Sequence, residues 1–303
     1  MLVRPGVPGL LSLLALAGLP LPVAAQARAQ FGPEGTVELT IGWRLIETAR
    51  FHRQGSAVDG PFERKNALNW SATYMVAPDL ALHAGGAWAR MFAAGGGSPT
   101  GGPEAHQGRQ DAVLGLAWRV RDPDPGAGPT LAVRVGGTVP GPYDAGYTNS
   151  LGDGVADLEV AGIAEDFRGR VGWTGEAGYR HRGSSRVNPA GIGRPTQHYD
   201  RVDVPSELFV AGGVYAALHP GFRLGVEYAG VNGRSGFDIG LPGWRPDRWP
   251  GLREDIHLVG LRADVGIGPR RSLALHAGRV IAGRNTPAYA AYSAAFTFGF
   301  AAR

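Results

Sequence analysis

In the stretch from Tyr292 to Phe300, aromatic side chains fall at Tyr292, Phe296, Phe298 and Phe300, and Ser293, Ala295, Thr297 and Gly299 stand between them. A strand sends successive side chains to opposite faces, so this order describes one greasy face and one small, polar face. Few environments suit such a strand other than a sheet with an apolar medium on one side and a wet or crowded space on the other. Alternation of the same kind recurs along the chain. It predicts strands near 36–53, 63–77, 79–92, 109–121, 129–139, 154–167, 169–183, 203–218, 221–231, 253–267, 270–281 and 287–301. Most reach the roughly 9 to 11 residues that a tilted strand needs to cross a hydrocarbon layer.

The start of the chain explains how such strands would reach a membrane. Arg4 is followed by an apolar run from Leu10 to Leu21, then by the small residues Val23-Ala24-Ala25, with Ala27-Arg28-Ala29 as a second cleavage option. That is the layout of a removable secretion signal over 1–25; Pro20 and Pro22 break the run, which is too short for an anchor. Residues 26–35 then read as a periplasmic segment and 36–303 as one barrel domain. The absence of Cys rules out both a lipidated N-terminus and a disulfide, and suits export through an oxidising compartment.

Connection lengths carry the membrane argument further. Ala77-Pro78-Asp79, Asp124-Pro125-Gly126, Asp166-Phe167-Arg168-Gly169, His219-Pro220-Gly221 and Gly268-Pro269-Arg270 read as compact turns after every second strand. The intervening connections, 54–62, 93–108, 140–153, 184–202 and 232–252, read as long polar loops. A soluble sandwich has no reason to sort loops by parity, whereas a bacterial outer-membrane barrel does. The expected fold is therefore all-β, a twelve-stranded antiparallel transmembrane β-barrel of the bacterial outer membrane, with its loops outward and its turns in the periplasm. Forty-nine Gly without a three-residue period exclude collagen. Dispersed Arg residues, with Lys65 the single lysine in a chain of net charge +4, do not make a nucleic-acid surface.

Parity sorts the side chains. Leu39, Ile41, Trp43, Leu68, Trp70, Leu116, Trp118, Val133, Trp173 and Phe298 share the greasy face, and Trp43, Trp70, Trp88, Trp118 and Trp173 are candidates for an aromatic girdle against lipid. The opposite face carries Arg44, Arg119, Arg134, Asp157, Glu159, Glu176, Arg180, Arg223, Glu227, Arg262 and Asp264. Charges confined in a narrow lumen pair, so these residues form a candidate internal network. Such a network either fills and stiffens the barrel or lines a polar track for solutes. Small inward residues, among them Gly115, Ala117, Gly136, Gly172, Gly178, Gly225, Ala229, Gly260 and Gly299, suggest open space and a narrow continuous lumen.

No reaction centre is apparent. The eight His are scattered, and no HExxH motif, Gly-x-Ser-x-Gly elbow or phosphate-cradling strand-to-helix loop occurs, so neither metal nor cofactor is expected. His198, Asp200 and Asp203 lie close in one loop and read as a solvated segment before a cation site. Tyr143, Tyr147, Trp244 and Trp249 either contact an apolar solute or pack their loops onto the barrel.

The run from Ser150 through Gly152-Asp153-Gly154 to Val160, followed by Glu176-Ala177-Gly178-Tyr179-Arg180, resembles the outer-membrane protein family named for the meta-pathway of phenol degradation. The order of these motifs matches over roughly 110–300, with the tail Ala301-Ala302-Arg303 as a departure from an aromatic end. The resemblance implies a transporter-like barrel passing small, often hydrophobic or aromatic molecules, and brings no catalytic residues. The expected function is passive passage or uptake of such molecules. The alternatives are a non-transporting structural or adhesion barrel with a charge-filled lumen, and a lipid-modifying outer-membrane enzyme. Expected partners are outer-membrane lipid, a small-molecule solute and the barrel-assembly machinery, with no nucleic acid.

Overall fold

The computed structural model describes residues 31–53, 55–94, 103–123, 127–145, 150–187, 200–239, 241–242 and 250–301. The signal at 1–25, the turn Asp124-Pro125-Gly126, His198, Tyr147, Trp244 and Trp249 lie outside the described residues. The strands are β1 (Thr36–Arg53), β2 (Ser56–Ala77), β3 (Leu80–Ala94), β4 (Glu104–Arg109), β5 (Ala112–Arg121), β6 (Thr130–Val139), β7 (Asp157–Arg168) and β8 (Val171–Arg182). They continue with β9 (Ser184–Val187), β10 (Asp200–Asp203), β11 (Glu207–His219), β12 (Phe222–Gly233), β13 (Asp255–Gly268), β14 (Arg271–Arg284), β15 (Thr286–Pro287) and β16 (Ala290–Ala301).

Twelve of these form a closed antiparallel barrel in the order β1-β2-β3-β5-β6-β7-β8-β11-β12-β13-β14-β16. The ring shuts because β1 pairs with β2 on one side and with β16 on the other, from Thr36↔Ala301 to Glu47↔Ala290. Closure leaves no free edge, which a sheet in hydrocarbon requires. The remaining strands are extensions: β4 continues β5 across a break at Gln110-Asp111, β9 and β10 prolong β8 and β11 as a hairpin, and β15 lies beside β1.

The aromatic C-terminal pattern has its reason in this geometry. Phe296 and Phe298 lie opposite Ile41 and Leu39 on β1, while Thr297 meets Thr40 in a hydroxyl–hydroxyl hydrogen bond of 2.9 Å on the inner face. Ile41, Trp43, Leu68, Leu116, Val135, Leu224 and Phe300 are exposed on the outside; Ala67, Ala117, Ala132, Ala161 and Ala229 are buried on the inside. The packed core of this molecule is its lumen.

The boundaries shift at several places: β4 and the β9–β10 pair carry strand into the connections expected at 93–108 and 184–202. The connection expected at 54–62 is a tight hairpin, because β2 begins at Ser56 and pairs with β1 up to Arg53↔Ser56. Gly55, at φ +86°, supplies the left-handed conformation that closes it. Strand that rises beyond the barrel is wet on both faces, so its polar sequence looks like a loop. The reversal expected at Asp166–Gly169 falls instead at Gly169-Arg170, and Phe167 stays in the ladder opposite Gly172.

Candidate functional site

The lumen wall divides into three parts. The first spans β6, β7, β8 and β11. Arg134 on β6 is hydrogen-bonded to both Glu159 on β7 and Glu176 on β8. Arg180, directly across from Glu159 in the ladder, reaches Glu159 at 2.9 Å, Glu207 at 3.1 Å and Asp157 at 3.8 Å. Arg182 closes the series with Glu207 at 2.8 Å and with Asp153 from the preceding loop. Alternate carboxylates and guanidiniums thus form one chain down the wall, each charge answered by its neighbours across the strands. Charge-assisted, forked pairs of this kind are strong, and low dielectric makes them stronger.

The second part joins β11, β12, β13 and β14 nearer the turn rim. Arg262 bonds Asp264 at 2.8 Å and lies 3.8 Å from Glu227, which also accepts a 2.6 Å bond from the Tyr215 hydroxyl. His276 stands 3.7 Å from Glu227. Arg223 stacks over the Phe167 ring at 5.0 Å. Above this cluster, Phe209, Val231, Ile256, Leu258, Val280, Tyr289 and Ala291 pack together inside the barrel, with Ile46 of β1 against them. An apolar strip therefore runs along the inner wall from β11 round to β1.

The third part is β1 and β2, and it is built differently. Arg44 is 1% exposed and donates to Asn69 Oδ1 at 3.1 Å; its Nε and Nη1 have no hydrogen-bond partner. Lys65 is 2% exposed and donates to the Leu151 carbonyl at 3.2 Å. Among the described residues neither cation makes an ion pair.

Loop residues enter the lumen from above. Leu151 packs on Ala67, Ala89 and Met91, and its carbonyl also receives the Gln110 amide at 2.6 Å. Tyr143 ties this loop down by donating to Asp111 and accepting from Gly154 N–H at 3.1 Å. Gly154 sits at φ +65°, with space for a Cβ closed by Ala145 and Ser185, so the Gly-rich run is needed for the entry turn. In these loops burial raises the Asp111 carboxyl pKa, against the Tyr143 hydrogen bond. Burial, followed by the fields of Asp153 and Glu207, raises that of Glu254. From the turn rim, Phe31 packs on Ala132 and Ile163 with Arg119 5.6 Å above its ring.

Several expected placements change. Arg119 does not join the lumen network: it pairs with Asp79 and Asp122, both at 2.9 Å, because position 119 is at the turn rim. Arg44, also expected in the network, has no carboxylate within ion-pair distance among the described residues. Several of the small inward residues do not leave open space. A Cβ on Gly178 would meet the Phe209 ring at 2.4 Å, one on Gly225 the Tyr215 ring at 2.3 Å, and one on Gly172 the Phe167 ring at 2.0 Å. Each glycine seats an aromatic ring laid flat from the next strand, a pairing alternation alone does not reveal. Glu207, Arg182, Tyr215, His276 and Lys65 were not singled out by parity; register finds Glu207 against Arg180, His276 against Arg262 and Arg182 against Asp157.

Outside, Trp43, Trp70, Trp88, Trp118 and Trp173 are all exposed. In the ladder Trp43 and Trp88 both flank Leu68, Trp70 lies two residues nearer the turn rim, and Trp118 and Trp173 lie near that rim. Among the described residues no group of His, Asp and Glu is arranged to hold a metal ion.

No protein-family model and no curated protein matches the chain. Among solved structures, an outer membrane channel from Pseudomonas putida F1 is similar at a TM-score of 0.74 and 15% identity, covering 90% of this chain and 98% of that one. At that identity the likeness speaks for the fold. The fold is that of an outer-membrane β-barrel. Looser likenesses include the translocator domain of autotransporter NalP from Neisseria meningitidis (TM-score 0.47, 10% identity, 90% of each chain). The toluene transporter TbuX from Ralstonia pickettii is also among them, with a TM-score of 0.46 and 10% identity, covering 92% of this chain and 94% of that one.

Proposed function

We propose that the chain is an outer-membrane channel for passive passage of small, apolar or aromatic molecules. The observation that carries this reading is the apolar strip inside the barrel. Phe209, Val231, Ile256, Leu258 and Val280 face the lumen, where a hydrophilic pore would place polar groups. These side chains are packed against one another, so an apolar solute would partition among them by displacing them, while the adjoining ion pairs hold the rest of the wall rigid. The similarity to an outer membrane channel from Pseudomonas putida F1 and the resemblance to the meta-pathway phenol-degradation family agree with this reading. In it, residues 1–25 are removed on export, the segment before β1 and the short turns face the periplasm, and the long loops face outward. Lipid surrounds the exposed Trp and Leu residues, and the barrel-assembly machinery inserts the chain.

Rates of uptake into proteoliposomes, compared with protein-free vesicles, test it: aromatic solutes should enter faster and sugars should not. Equal rates for both classes with and without protein overturn it. One observation favours a second reading, a filled barrel with a structural role. Leu151 enters from the loop rim, Phe31 from the turn rim, and aromatic rings cover the inward glycines. A barrel electrically silent in planar bilayers and inert towards aromatic solutes would favour that reading.

A further inference from the structure

We infer that Arg44 and Lys65 form a carboxylate-binding site within the lumen, so that the molecules this barrel takes are apolar bodies carrying an acid group. The inference rests on the passage reading and narrows its substrate class. Both cations stand on the inner face of neighbouring strands, Arg44 across from Ala67 and Lys65 across from Ile46. Both are almost fully buried, and neither is in an ion pair among the described residues. A buried guanidinium with two idle N–H donors is costly to keep unless something completes it. The molecule has the means to complete such charges and does so elsewhere: Arg134, Arg180, Arg182 and Arg262 each bond carboxylates.

The surroundings supply the rest of the site. Ile46, two positions from Arg44 on the same face, packs on the strip formed by Tyr289, Ala291, Val280 and Leu258. The carboxylates near Lys65 are otherwise engaged. Asp111 accepts from Tyr143 and from Gly141 N–H, Asp153 pairs with Arg182, and Glu63 on β2 has its own partner. A carboxylate placed at Arg44 would accept from Nε–H or from Nη1–H, which point to different edges of the guanidinium, with the Lys65 ammonium as a second charge, while its apolar body lies on the strip.

The test uses the full chain in lipid nanodiscs, with 4-phenylbutyrate and its neutral amide as probes in titration calorimetry at neutral pH. The parent should bind the acid on the order of tenfold more tightly than the amide, in line with a charge-assisted hydrogen bond. In the Arg44→Gln, Lys65→Gln variant that ratio should fall to about one, and Arg44→Lys should retain part of it, since the charge stays and the placed guanidinium donors go. Heat-modifiable mobility on gels verifies that each variant is folded, and Lys65→Gln alone serves if the double variant is not. Equal affinity of the parent for acid and amide, or a preference that survives in the folded variant, overturns the site. Amide binding without preference leaves the passage reading standing, whereas a parent that binds neither probe removes both.

Discussion

The β7–β8–β11 wall and the β1–β2 wall stand opposite each other in the ring of twelve strands, and they treat charge in contrary ways. On the first, every guanidinium is held between carboxylates, and the series from Glu176 to Asp153 leaves little for a visitor to bind. On the second, Arg44 has a single side-chain acceptor, Asn69, and Lys65 has a backbone carbonyl. A completed network is what a structural strut requires. An uncompleted one costs stability and is kept where recognition needs free donors. Buried charge as such therefore says little about function; the state of its partners says more.

The contrast breaks most easily at Arg180. Arg180→Met strands Glu159, Glu207 and Asp157 without their shared cation, and should cost about 3–5 kcal/mol in urea unfolding of the liposome-folded barrel. A cost near zero would mean that the first wall is no strut. Gly178→Ala acts on the same wall through packing. The new methyl collides with the Phe209 ring, and the penalty should be about 1–3 kcal/mol by the same measurement. On the opposite wall, Arg44→Met removes a charge that nothing completes, so stability should stay within about 1 kcal/mol of the parent or rise. A loss as large as that of Arg180→Met would make the two walls alike. The smallest effect belongs outside both. Arg64→Ala breaks an exposed 2.6 Å pair with Glu47 and should change stability by less than about 1 kcal/mol, vanishing in high salt.

Much of this barrel is legible in its sequence, because a two-residue period must hold wherever one face meets lipid and the other does not. Leu116 and Ala117 show it: the first is 38% exposed and the second 0%. Legibility fails where that boundary condition ends. Above the membrane band, Ser56–Gly60 is strand without alternation, and it reads as loop. Within the lumen, parity says that Arg44 and Arg180 both face inward but not which of them meets an acid, since that depends on register. Glu207 reaches Arg180 only because β11 pairs with β8 at Glu207↔Arg180. The glycines mislead for a related reason. A missing side chain reads as space along one strand, yet across strands Gly178 is the seat of Phe209.

The opposition of the two walls also has an electrical side. The β7–β8–β11 wall with Arg134 and its loop residue holds five carboxylates (Asp153, Asp157, Glu159, Glu176, Glu207) against three arginines. Among its buried residues the facing wall holds Arg44 and Lys65 against Glu63. An excess of negative charge on one side and of positive on the other sets up a field perpendicular to the barrel axis, concentrated where the dielectric is low. In the passage reading, a polar molecule drifting along that axis would feel a torque, and its negative end would swing towards β1 and β2 before any contact is made. The barrel would thus sort solutes by how they turn as well as by how they fit.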